Sequence, residues 1–205
     1  MDAQELNQLW QSYQLKVTDE IAKSPEVLFC NGSAIGTLGN FSASTGKAKS
    51  KKTFNVSVIL AAALTNGEVL RYIAEFPDDK RTILYFDTEQ SPHHCQRIIK
   101  RALRLAGLPV DRHPGNLIFA QLRALTPDLR LELIDNAIAT TPNVGLVIID
   151  GVRDLMFDIN NAIESSRLIG KLMEWTDKYQ IHIHTVLHLN KSDDNVRGHG
   201  VEQQS

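Results

Sequence analysis

Residues 144–149 read VGLVII, a run without a polar side chain, and Asp150 follows it directly. A short, continuous apolar run bounded by polar residues predicts a strand buried on both faces, because a strand with one wet face alternates polar and apolar positions. Such a strand needs helices above and below its sheet. The chain offers them in alternation. A helix is expected over 52–65, stopped at Asn66-Gly67, then a strand over 81–86 and a helix over 92–106 closed by Gly107. A strand over 117–120, a helix over 128–139 behind Thr126-Pro127, the 144–149 strand, a helix over 160–179 and a strand over 181–187 complete the series. Crossovers of this length pair strands in parallel, so the predicted class is α/β, a mostly parallel sheet flanked by helices on both faces.

Ahead of that series, Leu6, Trp10, Tyr13, Val17 and Ile21 keep helical spacing, which predicts a helix over 3–22 ended by Pro25. A strand over 27–30 and a Gly-rich turn over 31–36 predict a β-hairpin leading into a strand near 40–44. The expected organisation is an N-terminal helical segment, 1–25, and a core, 26–205.

The 205 residues carry a formal net charge of −2, so any nucleic-acid contact has to come from a local patch. The longest apolar run, 56–64, contains Ser57 and is too short to span a bilayer. The start, MDAQELNQLW, lacks the basic and apolar regions of a signal peptide. A cytoplasmic protein with no membrane association and with reduced Cys30 and Cys95 is expected. His93-His94-Cys95 is a poor chelate, since adjacent residues on a helix point in different directions.

Between the 40–44 strand and the 52–65 helix lies GKAKSKKT: Gly46, Lys47, Ala48, Lys49, Ser50, Lys51, Lys52 and Thr53. Against the phosphate-loop pattern G-x-x-x-x-G-K-[ST] it matches at Gly46, Lys52 and Thr53, with Lys51 where the second glycine is expected. A loop wrapped before a helix start aims backbone N–H groups at phosphate oxygens, and the helix dipole adds to this. The motif makes the whole loop a candidate ATP site, with Lys52 on the β- and γ-phosphates and Thr53 on Mg²⁺. A solvated lysine-rich loop is the competing reading.

Asp150 ends an apolar strand, where a carboxylate is costly to bury unless it meets a cation. It is a candidate Mg²⁺ partner, or else a turn aspartate. Glu89, in Asp87-Thr88-Glu89 after the 81–86 strand, is a candidate general base for attacking water, with Asp87 able to share the work; a helix-start acid is the alternative. His188 and Asn190 alternate to one side of an extended segment and are candidates for sensing the γ-phosphate, with ordinary turn chemistry the alternative. His182 and His184 also alternate, and are assigned to a half-exposed strand face rather than to a metal site.

The stretches GNFSASTGKAKSKKTF, ILYFDTEQS, VGLVIIDGVRDLM and TVLHLNKSDDNVRGHG together resemble the RecA-like P-loop ATPases, in particular the RepA-type helicase branch and the small ATPase-like proteins of bacterial mobile elements. The resemblance implies that Lys52 and Thr53 hold nucleotide and Mg²⁺, that Glu89 is the catalytic glutamate and Asp150 the Walker B aspartate, and that His188 and Asn190 stand at the sensor position. It implies single-stranded DNA contact through residues 191–197 and a homo-oligomeric ring or filament. Such relatives continue beyond the point where this chain ends and often carry an arginine finger there, so slow turnover is expected of the chain alone. The implied function is an ATPase in DNA replication, recombination or mobilisation. A nucleotide-binding regulatory or assembly module, and a DNA-binding accessory protein with phosphate-contacting lysines, are the alternatives.

Overall fold

The computed structural model describes residues 1–47, 52–158 and 160–189. Helix α1 (Ala3–Ser12) precedes strands β1 (Glu26–Cys30), β2 (Ser33–Thr37) and β3 (Phe41–Lys47), and then helix α2 (Lys52–Thr65). Strands β4 (Glu68–Val69), β5 (Tyr72–Ala74) and β6 (Thr82–Asp87) lead to α3 (Pro92–Leu105), β7 (Leu117–Gln121) and α4 (Pro127–Thr140). Strand β8 (Val144–Asp150), helix α5 (Ala162–Tyr179) and strand β9 (His182–Leu189) close the series.

Five strands form an all-parallel sheet in the order β3-β9-β8-β6-β7. Side chains alternate across it, as the period of a strand requires. Ile83, Tyr85, Leu146 and Ile148 face one core with α2 and α3, while Leu84, Phe86, Val147 and Ile149 face the other with α4 and α5. The expected layering is therefore present, and β8 is buried along its whole length.

The hairpin is also present, with a tighter turn than expected. Asn31 and Gly32 alone make it, both with positive φ (50° and 78°), the backbone of a two-residue type I′ connection. Ser33 to Thr37 is already the second strand. This hairpin belongs to a separate sheet, β2-β1-β5-β4, which lies over α2 and shares its core. The predicted stop of α2 is there as well: Asn66 takes the left-handed conformation, Gly67 N donates to Ala62 O at 3.2 Å and Asn66 N to Ala63 O at 3.3 Å.

Two expectations need correction. The first helix spans Ala3–Ser12 and not 3–22. Its start is well capped: Asp2 accepts from Gln4 N and Glu5 N, and Glu5 reaches back to Asp2 N. None of its residues is buried, and Leu15, Val17 and Ile21 beyond it are exposed too. Short helices draw most of their stability from packing an apolar face, which nothing here provides. Past Ser12, Lys16 N turns instead to the Asp19 carboxylate at 2.7 Å, a local bond that competes with the helix.

The second correction concerns His182 and His184, which are 1% and 3% exposed. They sit on β9, between β3 and β8, so neither edge of that strand meets water. A directed chain of hydrogen bonds satisfies them. Thr37 O can only accept, so His182 Nδ1 carries the proton and donates to it at 3.0 Å. His182 Nε2 then accepts from Ser42 Oγ at 2.9 Å, and Ser42 Oγ accepts from His184 Nδ1 at 2.8 Å. His184 Nε2 finally accepts from Ser44 Oγ at 2.9 Å.

Every ring nitrogen is thus satisfied with both imidazoles neutral, and burial lowers His182 from 6.5 to about 4 and His184, with His182 beside it, to about 3. Between pH 6.5 and about 4 the unfolded chain therefore binds protons that the folded chain does not. Stability falls as pH falls through that window, by up to about 1.4 kcal/mol per pH unit for each histidine. Asp87, whose carboxyl is raised by burial, opposes this with one proton against two. Urea midpoints should drop steadily from pH 7 to pH 5, and His184→Gln should flatten the slope. A midpoint independent of pH across that window would refute the assignment.

Candidate functional site

Parallel strands bring all their carboxyl ends to one edge, where ligands of open α/β sheets bind. Gly46 on β3 stands opposite His188 on β9, and Asp150 on β8 is flanked by Val186 on β9 and Asp87 on β6. The candidate residues from three separate segments thus meet at this edge. Helix α2 starts at Lys52, which is only 7% exposed, and its ammonium donates to the Gly46 carbonyl across the base of the loop. Thr53 follows in the first turn, half-buried, and its carbonyl accepts from Ser57 Oγ at 2.6 Å. The first turn of α2 holds no acidic residue, so its positive end is not neutralised from within the helix. Ala48, Lys49, Ser50, Lys51 and Asn190, with the 191–197 segment, lie outside the described residues, as do the side chains of Lys47 and His188.

Two buried acids face each other on the central strands. Asp150 is 3% exposed and Asp87 fully buried, and the two are cross-strand partners. Tyr85 Oη donates to Asp150 Oδ2 at 3.1 Å, and Tyr85 in turn stacks on Phe119 with ring centroids 4.3 Å apart. Burial first, and then the Asp150 charge, hold the Tyr85 phenol well above its ordinary range, so it stays a donor. Asp87 accepts from Gln90 N at 2.7 Å and Glu89 N at 3.1 Å through Oδ1, and from Gln90 Nε2 at 3.1 Å through Oδ2. Burial nevertheless raises its carboxyl, with the Asp150 charge adding to the rise. Burial and Asp87 likewise push the Cys95 thiol up to about 12, which makes it inert.

Thr88, which the sequence did not single out, ties the ends of β6 and β8 together. Its hydroxyl accepts from Gly151 N at 2.8 Å and donates to Asp154 Oδ2 at 2.7 Å, and its own N–H donates to Asp150 O at 2.7 Å. The Asp150–Gly151 peptide is cis. Arg130 of α4 braces the same edge, donating to the carbonyls of Leu122, Arg123 and Asp154. Glu89 follows Thr88 as an exposed residue at the sheet's edge. Among the described residues, no three His, Cys, Asp or Glu side chains converge to hold a metal ion by themselves.

No curated protein matches the chain. Among the solved structures that it resembles is the crystal structure of the RadB recombinase, at 18% identity and a TM-score of 0.53, over 81% of this chain and 69% of that one. At that identity the likeness bears on the fold alone. No helix among the described residues is long and apolar enough to cross a membrane. The model of the AAA domain family matches residues 19–194, most of the chain. Together with the parallel sheet and the Lys52 helix start, this means that the chain belongs to the AAA domain family and has the RecA-like P-loop ATPase fold.

Proposed function

We propose that the chain binds ATP with Mg²⁺ at the carboxyl edge of its parallel sheet and hydrolyses it. The observation that carries this reading is the buried Lys52 ammonium at the start of α2, bonded to the Gly46 carbonyl and standing on the same edge as Asp150. A buried ammonium at a helix N-terminus whose first turn holds no acid is a favourable seat for phosphate. The residues also fit a divalent cation. Two acids buried side by side, one with its carboxyl raised by burial and further by the other's charge, gain by a cation near them. Thr53 and Asp150 are the residues that would hold Mg²⁺, and the ion would supply neutralisation of phosphate charge.

Lys52 would draw charge from the β- and γ-phosphates, and Lys47, Ala48, Lys49, Ser50 and Lys51 would wrap them through backbone N–H groups. Glu89, exposed at the same edge, would orient and deprotonate the attacking water, and His188 and Asn190 would sense the γ-phosphate. The finer role follows the resemblance: DNA replication, recombination or element mobilisation, as a RepA-type member, with single-stranded DNA on 191–197 and homo-oligomeric assembly. That RadB is a recombinase agrees with the recombination branch of that reading.

Glu89→Gln is the direct test. Binding of Mg-ATP should persist within about threefold, while phosphate release falls by about 10² to 10⁴, the usual worth of a general base. Equal, negligible release from both proteins would sink the hydrolytic role and leave a nucleotide-binding regulatory module.

A further inference from the structure

Helix α3 carries a second feature that the nucleotide site does not use. Cys95, Ile98, Ala102 and Leu103 bury one face of it. The other presents Arg97, Lys100, Arg101 and Arg104, which with Leu105 line a surface cavity of about 420 Å³. Their spacing, i, i+3, i+4 and i+7, stacks four cations on one stripe. Like charges at these spacings repel and weaken a helix. Among the described residues none of the four forms an ion pair: Lys100 meets the neutral Gln96 amide at 3.2 Å and Arg101 the Ser57 hydroxyl at 3.5 Å. In a chain of net charge −2, this is a local concentration of positive charge that no described residue neutralises.

We propose that this stripe binds the phosphodiester backbone of a nucleic acid. Three arginines offer planar forks suited to phosphate oxygens. From 97 to 104 the helix rises about 10 Å, a length over which a nucleic-acid strand presents more than one phosphate to the four cations. Leu105 is the lone apolar residue of the lining, and no aromatic residue joins it. A protein interface normally centres on aromatic or apolar anchors, and a base-stacking platform on aromatic rings. The lining has no aromatic ring, so its cations are suited first to the charge of the phosphates. The stripe stands on its own helix, and its binding does not depend on the nucleotide site.

Fluorescence anisotropy with a labelled oligothymidylate, titrated at several salt concentrations, tests this on the full chain. Arg97 and Arg104 are exposed, so Arg97→Gln/Arg104→Gln should leave the fold intact, checked by circular dichroism. The double variant should bind at least tenfold more weakly, and its log K against log salt should flatten by about 1.4, some 0.7 for each lost cation on a single strand. Lys52→Ala should bind the oligonucleotide like the unmodified protein, which separates this site from the nucleotide reading. Absence of salt-dependent binding, or an unchanged slope in the double variant, would overturn the proposal. Equal competition by inorganic tripolyphosphate at matched charge would reassign the stripe to free polyphosphate. Equal binding of polyglutamate would reassign it to an acidic protein surface, and either result overturns the nucleic-acid reading.

Discussion

Lys52→Ala is expected to weaken Mg-ATP binding by about 10² to 10³ and to remove phosphate release with it. The size follows from what the ammonium would do. Charge-assisted hydrogen bonds are worth about 1.5–2 kcal/mol each at the lower end of their range, and two of them to phosphate oxygens amount to about 3–4 kcal/mol, or 10² to 10³ in affinity. Removing the ammonium also frees the Gly46 carbonyl to which it donates, so the base of the loop loses a tie as well as a charge. Alanine is a good helix former, hence α2 itself should persist, which circular dichroism checks. Calorimetric titration of both proteins with Mg-ATP reads the affinity directly. Equal affinities would mean that phosphate is not held at the start of α2, and the proposed function would fall with it.

How far the sequence carried this reading varies from element to element, for physical reasons. The buried β8 and the stop of α2 at Asn66-Gly67 were legible because each is a local signal: an apolar run, or a residue pair that tolerates positive φ. Strands β4 and β5 were not, since two and three residues are too few to display a period. The burial of His182 and His184 depends on β9 lying between β3 and β8, an order set by topology and invisible within the strand. The same holds at the site. Lys52 and Asp150 mark element boundaries and could be named from their neighbours. That Asp87 is the cross-strand partner of Asp150, and that Thr88 reaches Gly151 and Asp154, are facts of register between segments about sixty residues apart. The cations of α3 keep a spacing readable in the sequence. Only their lack of acidic partners among the described residues distinguishes them from an ordinary solvated helix face.

Gly145→Ala is expected to cost about 3 kcal/mol or more, a severe loss for a domain whose total stability is of the order of 5–15 kcal/mol. Gly145 is the extra residue of a bulge: Thr82 pairs with Val144 and Ile83 already with Leu146. A Cβ there would lie 1.9 Å from the Lys80 carbonyl oxygen, 2.8 Å from its carbon and 2.9 Å from a ring carbon of Phe76. The first two are backbone atoms, and that backbone is held on both sides, by Lys80 N on Pro77 O at 2.9 Å and by Thr82 N on Asn143 O at 2.8 Å. No side-chain rotation relieves the clash, so either the Asp78–Lys80 turn must move away or the bulge must be undone. Undoing it slips β8 against β6, and a one-residue slip turns every side chain to the opposite face. Asp150 would then leave its place beside Asp87, so the variant's remaining folded fraction should also lose nucleotide affinity. Gly170→Ala, exposed within α5 with no atom within 4 Å of the new carbon, should instead stabilise by up to about 1 kcal/mol. Urea unfolding of the two variants side by side separates a close backbone approach from a general preference for glycine, and a loss below about 1 kcal/mol for Gly145→Ala would mean that the bulge yields freely.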